Sequence, residues 1–423
     1  MTEKNSTNSR RDFLRGAAFV GAAFAAASVP ACADAPKASV PGHAFDVAQF
    51  GAKGDGVTDD TKAIQAAIDA AVSARGGHIY FPAGQYRITR SLIFTSADKF
   101  DITGDGKSSV LLHENDEPLL LWKENAPCRE SSVRDLAFTS IKSDKSHDTP
   151  VIYCLGGVER SFFQNLFFNN SGARMGSGIF VEKVMDTTTL DHCLMWGVGG
   201  TGVRVARGSE VRIFGGRIIG SNPYPSAPTG TIGVHLTGGN GGVHIVTTDL
   251  IGLHTGLRIG DPGAASNREV FITHSSLDSN VHGIHQVDHT YLSIAGCWAA
   301  SSDEDQILVD DQASGAIVVI SGGTIFNGGA YGRPGSANGM VVRAGSFVLS
   351  GVTIRNNKGT GILVEGSKVR DYAINGCRIV ENGAGASLAG DNFTFTGNVL
   401  TRNTRNLIDK GTKNKVIQGN IGA

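Results

Sequence analysis

Arg204, His235, Arg258 and His285 hold the same place in four successive copies of one short phrase. The copies read Gly202-Val-Arg-Val205, Gly233-Val-His-Leu236, Gly256-Leu-Arg-Ile259 and Gly283-Ile-His-Gln286. Side chains alternate along a strand, so the residues on either side of the variable place point inward and the variable residue faces solvent. Strands stacked at about 4.8 Å set these four side chains along roughly 15 Å. Phe180 stands in the same line one copy earlier, and Ile152, Leu308, Val341, Leu363 and Ser387 continue it on both sides. Like charges this close repel, which predicts an anionic ligand lying over them. A row of ordinary solvent-facing strand residues is the plainer reading of the same pattern.

The loops around this row add acids and imidazoles. Asp278, Asn280, His282 and Asp303-Glu304-Asp305 precede the strands, while Asp261, Asp288, His289 and Asp310-Asp311 follow them. β-Elimination on a uronate needs the carboxylate neutralised, the adjacent proton removed and the developing negative charge stabilised. Arg258 suits the role of base or electrostatic stabiliser, with His285 or His282 as its acid/base partner. Arg204 and His235 would hold carboxylates, and Phe180 would extend the binding line. Inverting glycoside hydrolysis instead needs two carboxyl groups ~6.5–9.5 Å apart, and Asp261 with Asp305 is the pair on offer. No motif requires a cofactor or metal. Ca²⁺ would need clustered oxygen ligands, to which Asp303, Asp305, Asp310 and Asp311 could contribute.

The elements that position these residues are written in a second phrase, apolar-x-Gly. It appears at Ile102-Thr-Gly104, Ile213-Phe-Gly215, Ile294-Ala-Gly296, Ile320-Ser-Gly322, Leu349-Ser-Gly351, Ile374-Asn-Gly376, Phe395-Thr-Gly397 and Ile417-Gln-Gly419. Asp135, Asn165, His192, Thr247 and His274 stand at the third place in other copies, and successive third places are 21 to 32 residues apart. Gly, Asn, Asp and His tolerate the left-handed backbone, so the phrase marks a recurring tight turn that only Thr247 fails to suit. His192 and His274 are accordingly assigned to the backbone. An Asn follows in most copies, among them Asn170, Asn222, Asn280, Asn357, Asn382 and Asn403. Three short strands of period 2 per repeat, with no helix between them, predict an all-β fold: a single-stranded parallel β-helix, each coil burying its apolar positions on its neighbours.

Composition agrees with one elongated domain. The 423 residues include 57 Gly and 40% hydrophobic residues, with a formal net charge of −1. That charge gives no basis for nucleic-acid or membrane-surface binding. Ser9-Arg10-Arg11-Asp12-Phe13-Leu14-Arg15 has the form of a twin-arginine export motif, and the small, apolar Gly16–Ala31 stretch is too short to span a bilayer. Residues 1–35 are read as signal peptide and short linker, which predicts an extracytoplasmic protein, periplasmic or secreted. Cleavage near Ala33 is preferred over lipid modification of Cys32. Cys193, Cys297 and Cys377 fall on inward-pointing places of coils that are not neighbours, so they are buried thiols. Cys128 and Cys154, on adjacent coils, are the pair that could form a disulfide.

Residues 44–423 form the β-helix domain, with 44–90 as its N-terminal cap and first strands. There Phe45-Asp-Val-Ala-Gln-Phe-Gly51-Ala-Lys-Gly54-Asp55-Gly56-Val-Thr58-Asp59-Asp60-Thr61 leads into Ile64, Ile68 and Ala71, then Gly76-Gly77-His-Ile-Tyr-Phe-Pro82-Ala-Gly84-Gln-Tyr86. Thr58 or Asp59 can cap a helix whose apolar stripe covers the open end of the first coil. This stretch resembles the opening of the pectate-lyase superfamily, in particular its rhamnogalacturonase and epimerase-like β-helix group. The resemblance covers roughly residues 44–90; it implies a right-handed, pectin-lyase-like β-helix and action on acidic or other polysaccharides. The group's polygalacturonases carry Asn-Thr-Asp, Asp-Asp, Gly-His-Gly and Arg-Ile-Lys motifs. The nearest counterparts are Asn280-Val-His282-Gly-Ile284 and Glu304-Asp305-Gln-Ile307, and His282 replaces a required carboxylate.

The sequence therefore predicts a secreted carbohydrate-active enzyme, a polysaccharide lyase on a uronate-containing, anionic glycan. An inverting hydrolase is the alternative, followed by an epimerase and a non-catalytic glycan-binding protein. No obvious helix covers the last coil after Gly419, so an oligomer formed through that end is a further expectation. Insertions at Ser140–Thr149, Asn222–Thr231 and Asn327–Asn338 are expected to set the sugar.

Overall fold

Alternation of period 2, interrupted every few residues by a turn, produces mostly short strands that pair with their counterparts one coil away. The computed structural model describes residues 44–96, 98–141, 149–169, 176–220 and 230–423. The twin-arginine motif, Cys32, Asn170, Asn222 and most of the two earlier insertions lie outside the described residues. The described chain is a right-handed parallel β-solenoid of about 13 turns.

Three sheets run along the solenoid. The front sheet contains Ser177–Glu182, Thr201–Ala206, Ile232–Thr237, Thr255–Ile259, His282–Gln286 and Ile307–Val309. Its register is unbroken along the predicted line: Phe180 pairs with Arg204, Arg204 with His235, His235 with Arg258, Arg258 with His285, and His285 with Leu308. One member of the line is corrected. Tyr153, not Ile152, pairs with Phe180; Ile152 is fully buried, because its strand enters one residue out of step.

The left-handed turn recurs as expected, with φ of 57° at Asp135, 50° at Asn165, 50° at His192 and 48° at His274. Gly104 is the exception, ending the strand Phe100–Gly104 without a positive φ. Thr247 does adopt the turn, at φ 47°, so the register overrides what a β-branched residue prefers. Strain of this kind costs on the order of 1–3 kcal/mol. Thr247→Gly is therefore expected to stabilise the fold by about 1 kcal/mol, read as a higher denaturant midpoint at unchanged slope.

Ile102, Val133, Phe163, Leu190, Ile213, Ile245 and Ile272 stack one above another in a continuous core, all nearly fully buried. Aromatic ladders lock both ends of it. Phe94 stacks on Trp122 at 4.2 Å, and Phe347, Tyr372 and Phe393 stack at 4.7 and 4.6 Å. Cys193, Cys297 and Cys377 are buried as predicted, and burial pushes the Cys193 thiol up to about 12. Cys128 and Cys154 are also buried free thiols, not a disulfide.

The cap is the helix α1, Thr61–Ser73, which buries Ile64, Ala67, Ile68 and Ala71. Its N-cap residue is Asp60, one place beyond the predicted Thr58 or Asp59. Asp59 still supplies the capping oxygen, accepting from the Thr61 amide at 3.1 Å. The Asp60 carboxylate instead accepts from the Lys53 and Gly54 amides at 2.7 and 3.0 Å. Asp60 thus ties the Gly-rich opening loop to the helix.

Candidate active site

The row of cations is not left for a ligand to neutralise, because the chain supplies its own counter-ions. Asp261, at the exit of the strand bearing Arg258, accepts from Arg258 Nε at 3.0 Å, Thr237 Oγ1 at 2.7 Å and His235 Nε2 at 2.9 Å. Burial works to raise the Asp261 carboxyl, but Thr237, His235 and Arg258 together outweigh it and hold it below the usual carboxylate range. One coil on, His285 Nε2 lies 3.0 Å from Asp310 Oδ2. Burial opposes ionisation at Asp310 as well, and the His285 bond prevails. The repulsion expected from the sequence is absorbed by these two carboxylates.

Beside this pair of ion-linked groups sits a trio of imidazoles. The His282 ring is 5.6 Å from that of His285 and 6.0 Å from that of His254. Burial, then the proximity of His285 and His254, lowers His282 to about 4. Burial likewise lowers His254 and His235. His282 Nδ1 is enclosed with no hydrogen-bond partner among the described residues, which leaves Nε2 as the atom able to meet a ligand. His254 was not singled out from sequence. Its signal was available, since His254-Thr255 enters the Arg258 strand as Val281-His282 enters the next.

Arg204 and Phe180 are placed in the line but occupied by each other. The Arg204 guanidinium lies 4.2 Å from the centre of the Phe180 ring and donates to Glu182 at 2.6 Å. Glu182 also takes Arg207 at 2.5 Å and Tyr153 Oη at 3.2 Å. Phe180 is 4% exposed as a result, a covered ring and not an open stacking platform. Glu182 was missed because it sits two places past the variable residue of its strand, and the reading from sequence took one residue per coil.

Asp305 stands apart from Asp261. It aligns with Asn338 and His282 at the entrance of the strands, whereas Asp261 follows the exit of a strand two coils away. Their backbones are on the order of 15–20 Å apart by strand and coil spacing. Asp305 accepts from Ser336 Oγ at 2.7 Å and Asn338 Nδ2 at 3.0 Å, and burial raises it above the usual carboxylate range. Asp303 binds Arg333 Nε at 2.8 Å. The third insertion, 327–338, is thereby docked over the strand entrances. Asp288 is structural, holding the Asn267 amide and side chain at 2.7 Å and the Thr290 hydroxyl. Asp303, Asp305 and Asp310 are each held by a different partner: Arg333, Ser336 with Asn338, and His285. Among the described residues no group of three or more His, Cys, Asp or Glu is arranged to hold a metal ion.

Fold and site together define a pectin-lyase-like parallel β-helix with a charged, imidazole-rich row on its front sheet. Residues 44–119 match the family described as rhamnogalacturonase A/epimerase, pectate lyase-like, which bears out the resemblance of the opening motif. Residues 232–419 match the family described as periplasmic copper-binding protein (NosD). Among curated proteins, mannuronan C5-epimerase AlgE5 of Azotobacter vinelandii is 64% identical over 45 residues, 11% of this chain and 4% of that protein. A capsule K30/K69-specific depolymerase of Klebsiella phage K5-2 is 31% identical over 134 residues, 29% of this chain and 16% of that protein. The chain thus spans a small part of the length of the curated relatives it matches. Among solved structures, the family 28 exopolygalacturonase of Yersinia enterocolitica superposes with TM-score 0.58 at 13% identity, covering 89% of this chain and 78% of that one. The Dettilon tailspike protein gives TM-score 0.56 at 16% identity over 88% and 68%. At these identities the structures show the fold alone.

Proposed function

We propose that this protein is an extracytoplasmic carbohydrate-active enzyme that cleaves a uronate-containing polysaccharide by β-elimination. The observation that carries the reading is His282: an imidazole held neutral down to about pH 4, on the strand whose His285 pairs in register with Arg258. A neutral imidazole one strand away from a fixed guanidinium is suited to removing a proton next to a carboxylate. Arg258 binds the uronate carboxylate and stabilises the charge that builds on it, and His235, sharing Asp261, supports it. His282 takes the proton from the carbon beside the carboxylate. The electron pair of that C–H bond forms the new carbon–carbon double bond as the glycosidic C–O bond breaks. The leaving oxygen receives a proton from His285, which Asp310 orients.

The hydrolase alternative asks for one carboxyl that stays protonated near a second that is ionised. Asp261 and Asp310, both near the row, are both held in the ionised form. Asp305 is raised, but it lies at the other end of the strands. The polysaccharide-acting names among the relatives support the substrate class, and the family match of residues 44–119 supports the type of enzyme. Their names and the NosD match also support a location outside the cytoplasm. Among the described residues no helix is long and apolar enough to cross a membrane. Incubation with pectate, alginate, glycosaminoglycans and neutral glycans is expected to yield unsaturated, ultraviolet-absorbing ends on a uronate polymer. New reducing ends without that absorbance would identify a hydrolase and end the lyase reading.

A further inference from the structure

We propose that the sheet preceding the front sheet in each coil carries a second glycan-binding face, which holds a polysaccharide by its sugar rings without cleaving it. Its ligand class rests on the reading of the protein as glycan-active; none of the front-sheet residues takes part. This lateral sheet contains Leu194–Val198, Arg217–Gly220, Asp249–Ile251, Ser276–Asp278, Trp298–Ala300 and Thr324–Phe326. Of the chain's three tryptophans, Trp122 is fully buried and stacked on Phe94. The other two, Trp196 and Trp298, are 60% and 43% exposed, and register sets both on the outward face of this one sheet. Trp196 pairs with Ile219, Ile219 with Ile251 and Ile251 with Asp278, while Trp298 pairs with Ser276, two places before Asp278 on the same face. Four coil steps separate the two tryptophan strands, roughly 19 Å along the axis.

One large apolar side chain left in water needs no explanation. Two in the same company on one face do. Trp196 lines a cavity of about 480 Å³ with Phe167, Leu194, Arg217 and Asp249, a size within the range of small-ligand sites. Arg217 donates from Nε and Nη2 to Asp249 Oδ2 at 2.8 and 2.6 Å, so Asp249 Oδ1 is the oxygen left to accept from a ligand. At the other end, Trp298 meets the Phe326 ring edge to face at 4.4 Å. Its Nε1 lies 3.4 Å from Asp278 Oδ2, and the Arg355 guanidinium lies 5.4 Å from the centre of the Phe326 ring. Each end therefore joins an exposed indole to a carboxylate and a guanidinium. A pyranose ring matches that set. Its C–H face is apolar and covers an indole, while its hydroxyls both donate and accept, and so engage the Asp and the Arg together. Because Arg217 and Asp249 neutralise one another, the feature recognised is the ring and its hydroxyls, not a uronate charge.

The test runs the full chain through native gels containing pectate, alginate, hydroxyethylcellulose or galactomannan, beside titrations of indole fluorescence with the same polymers. At least one polymer is expected to retard the protein and to change its indole emission. A ligand confined to the front row does not reach an indole, because no tryptophan stands there. Trp196→Ala and Trp298→Ala should each weaken this binding by about fivefold or more. The double substitution should abolish it, and Trp196→Phe should keep part of it. Arg258→Ala should leave the fluorescence titration within about twofold of the unsubstituted protein. Both indoles are exposed, so circular dichroism of the variants should be unchanged. Retardation by none of the four polymers, full retardation of the double variant, or a fluorescence response lost in Arg258→Ala each overturns the second face. A drop from dimer to monomer in the double variant, read by light scattering, would make the face a protein interface and overturn it too. Absence of unsaturated products while retardation persists would defeat the elimination reading alone.

Discussion

Arg258→Ala is expected to lower kcat/KM on the cognate polymer by roughly 10²–10³-fold while leaving the solenoid intact. Two features make the effect large. Arg258 is the cation that stands between His235 and His285, its partners in register. Its Nε is already fixed to Asp261 at 3.0 Å, so the remaining guanidinium nitrogens are presented without further ordering. Two features confine the effect to function. The side chain is 25% exposed and outside the core, so the lost pair is worth about 1 kcal/mol or less to stability. Asp261 keeps Thr237 and His235 after the truncation. Arg258→Lys is expected to recover only part of the loss, because a point charge cannot both hold Asp261 and pair with a planar carboxylate. Circular dichroism and thermal unfolding beside the kinetics check this, and full turnover by the alanine variant would remove Arg258 from the mechanism.

The reason Arg258 could be picked from sequence lies in the solenoid itself. A repeat makes position in the phrase equivalent to position on a face, so the inward places of Leu257 and Ile259 fixed the outward place of Arg258 without any knowledge of neighbours. The same logic located the backbone turns at His192 and His274 and the buried thiols at Cys193, Cys297 and Cys377. It failed where one strand enters out of step, at Ile152 and Tyr153. It also could not reach interactions set by side-chain length and not by register. Glu182 bending to Arg204 and Arg207 and Asp261 bridging two coils are of that kind. Thr247 shows the reverse case, in which local preference pointed away from the turn and the stacking of coils on both sides imposed it.

The neutral His282 predicts an unusual pH response in both activity and stability. In the free enzyme kcat/KM follows the protonation of the base. A base lowered to about 4 gives an acid limb that falls only near pH 4, while the alkaline limb belongs to the proton donor His285. An ordinary imidazole would place the acid limb near its usual value of 6.5. His282→Ala should lower the plateau by about 10²–10⁴-fold and remove the acid limb. For stability the sign follows from proton uptake. Between pH 6.5 and 4 the unfolded chain binds a proton at His282 that the folded chain refuses, so stability falls as the pH falls through this window, by about 3 kcal/mol in all. His235 and His254, also lowered, act in the same direction. Asp303 and Asp305, raised by burial, act oppositely, since the folded state keeps their protons at a higher pH than the unfolded chain does. His282→Ala should therefore flatten the denaturant midpoint between pH 4 and 6.5 relative to the unsubstituted protein. A profile with its acid limb near 6.5, together with a midpoint whose pH dependence is unchanged by the substitution, would mean that His282 is neither held neutral nor the base.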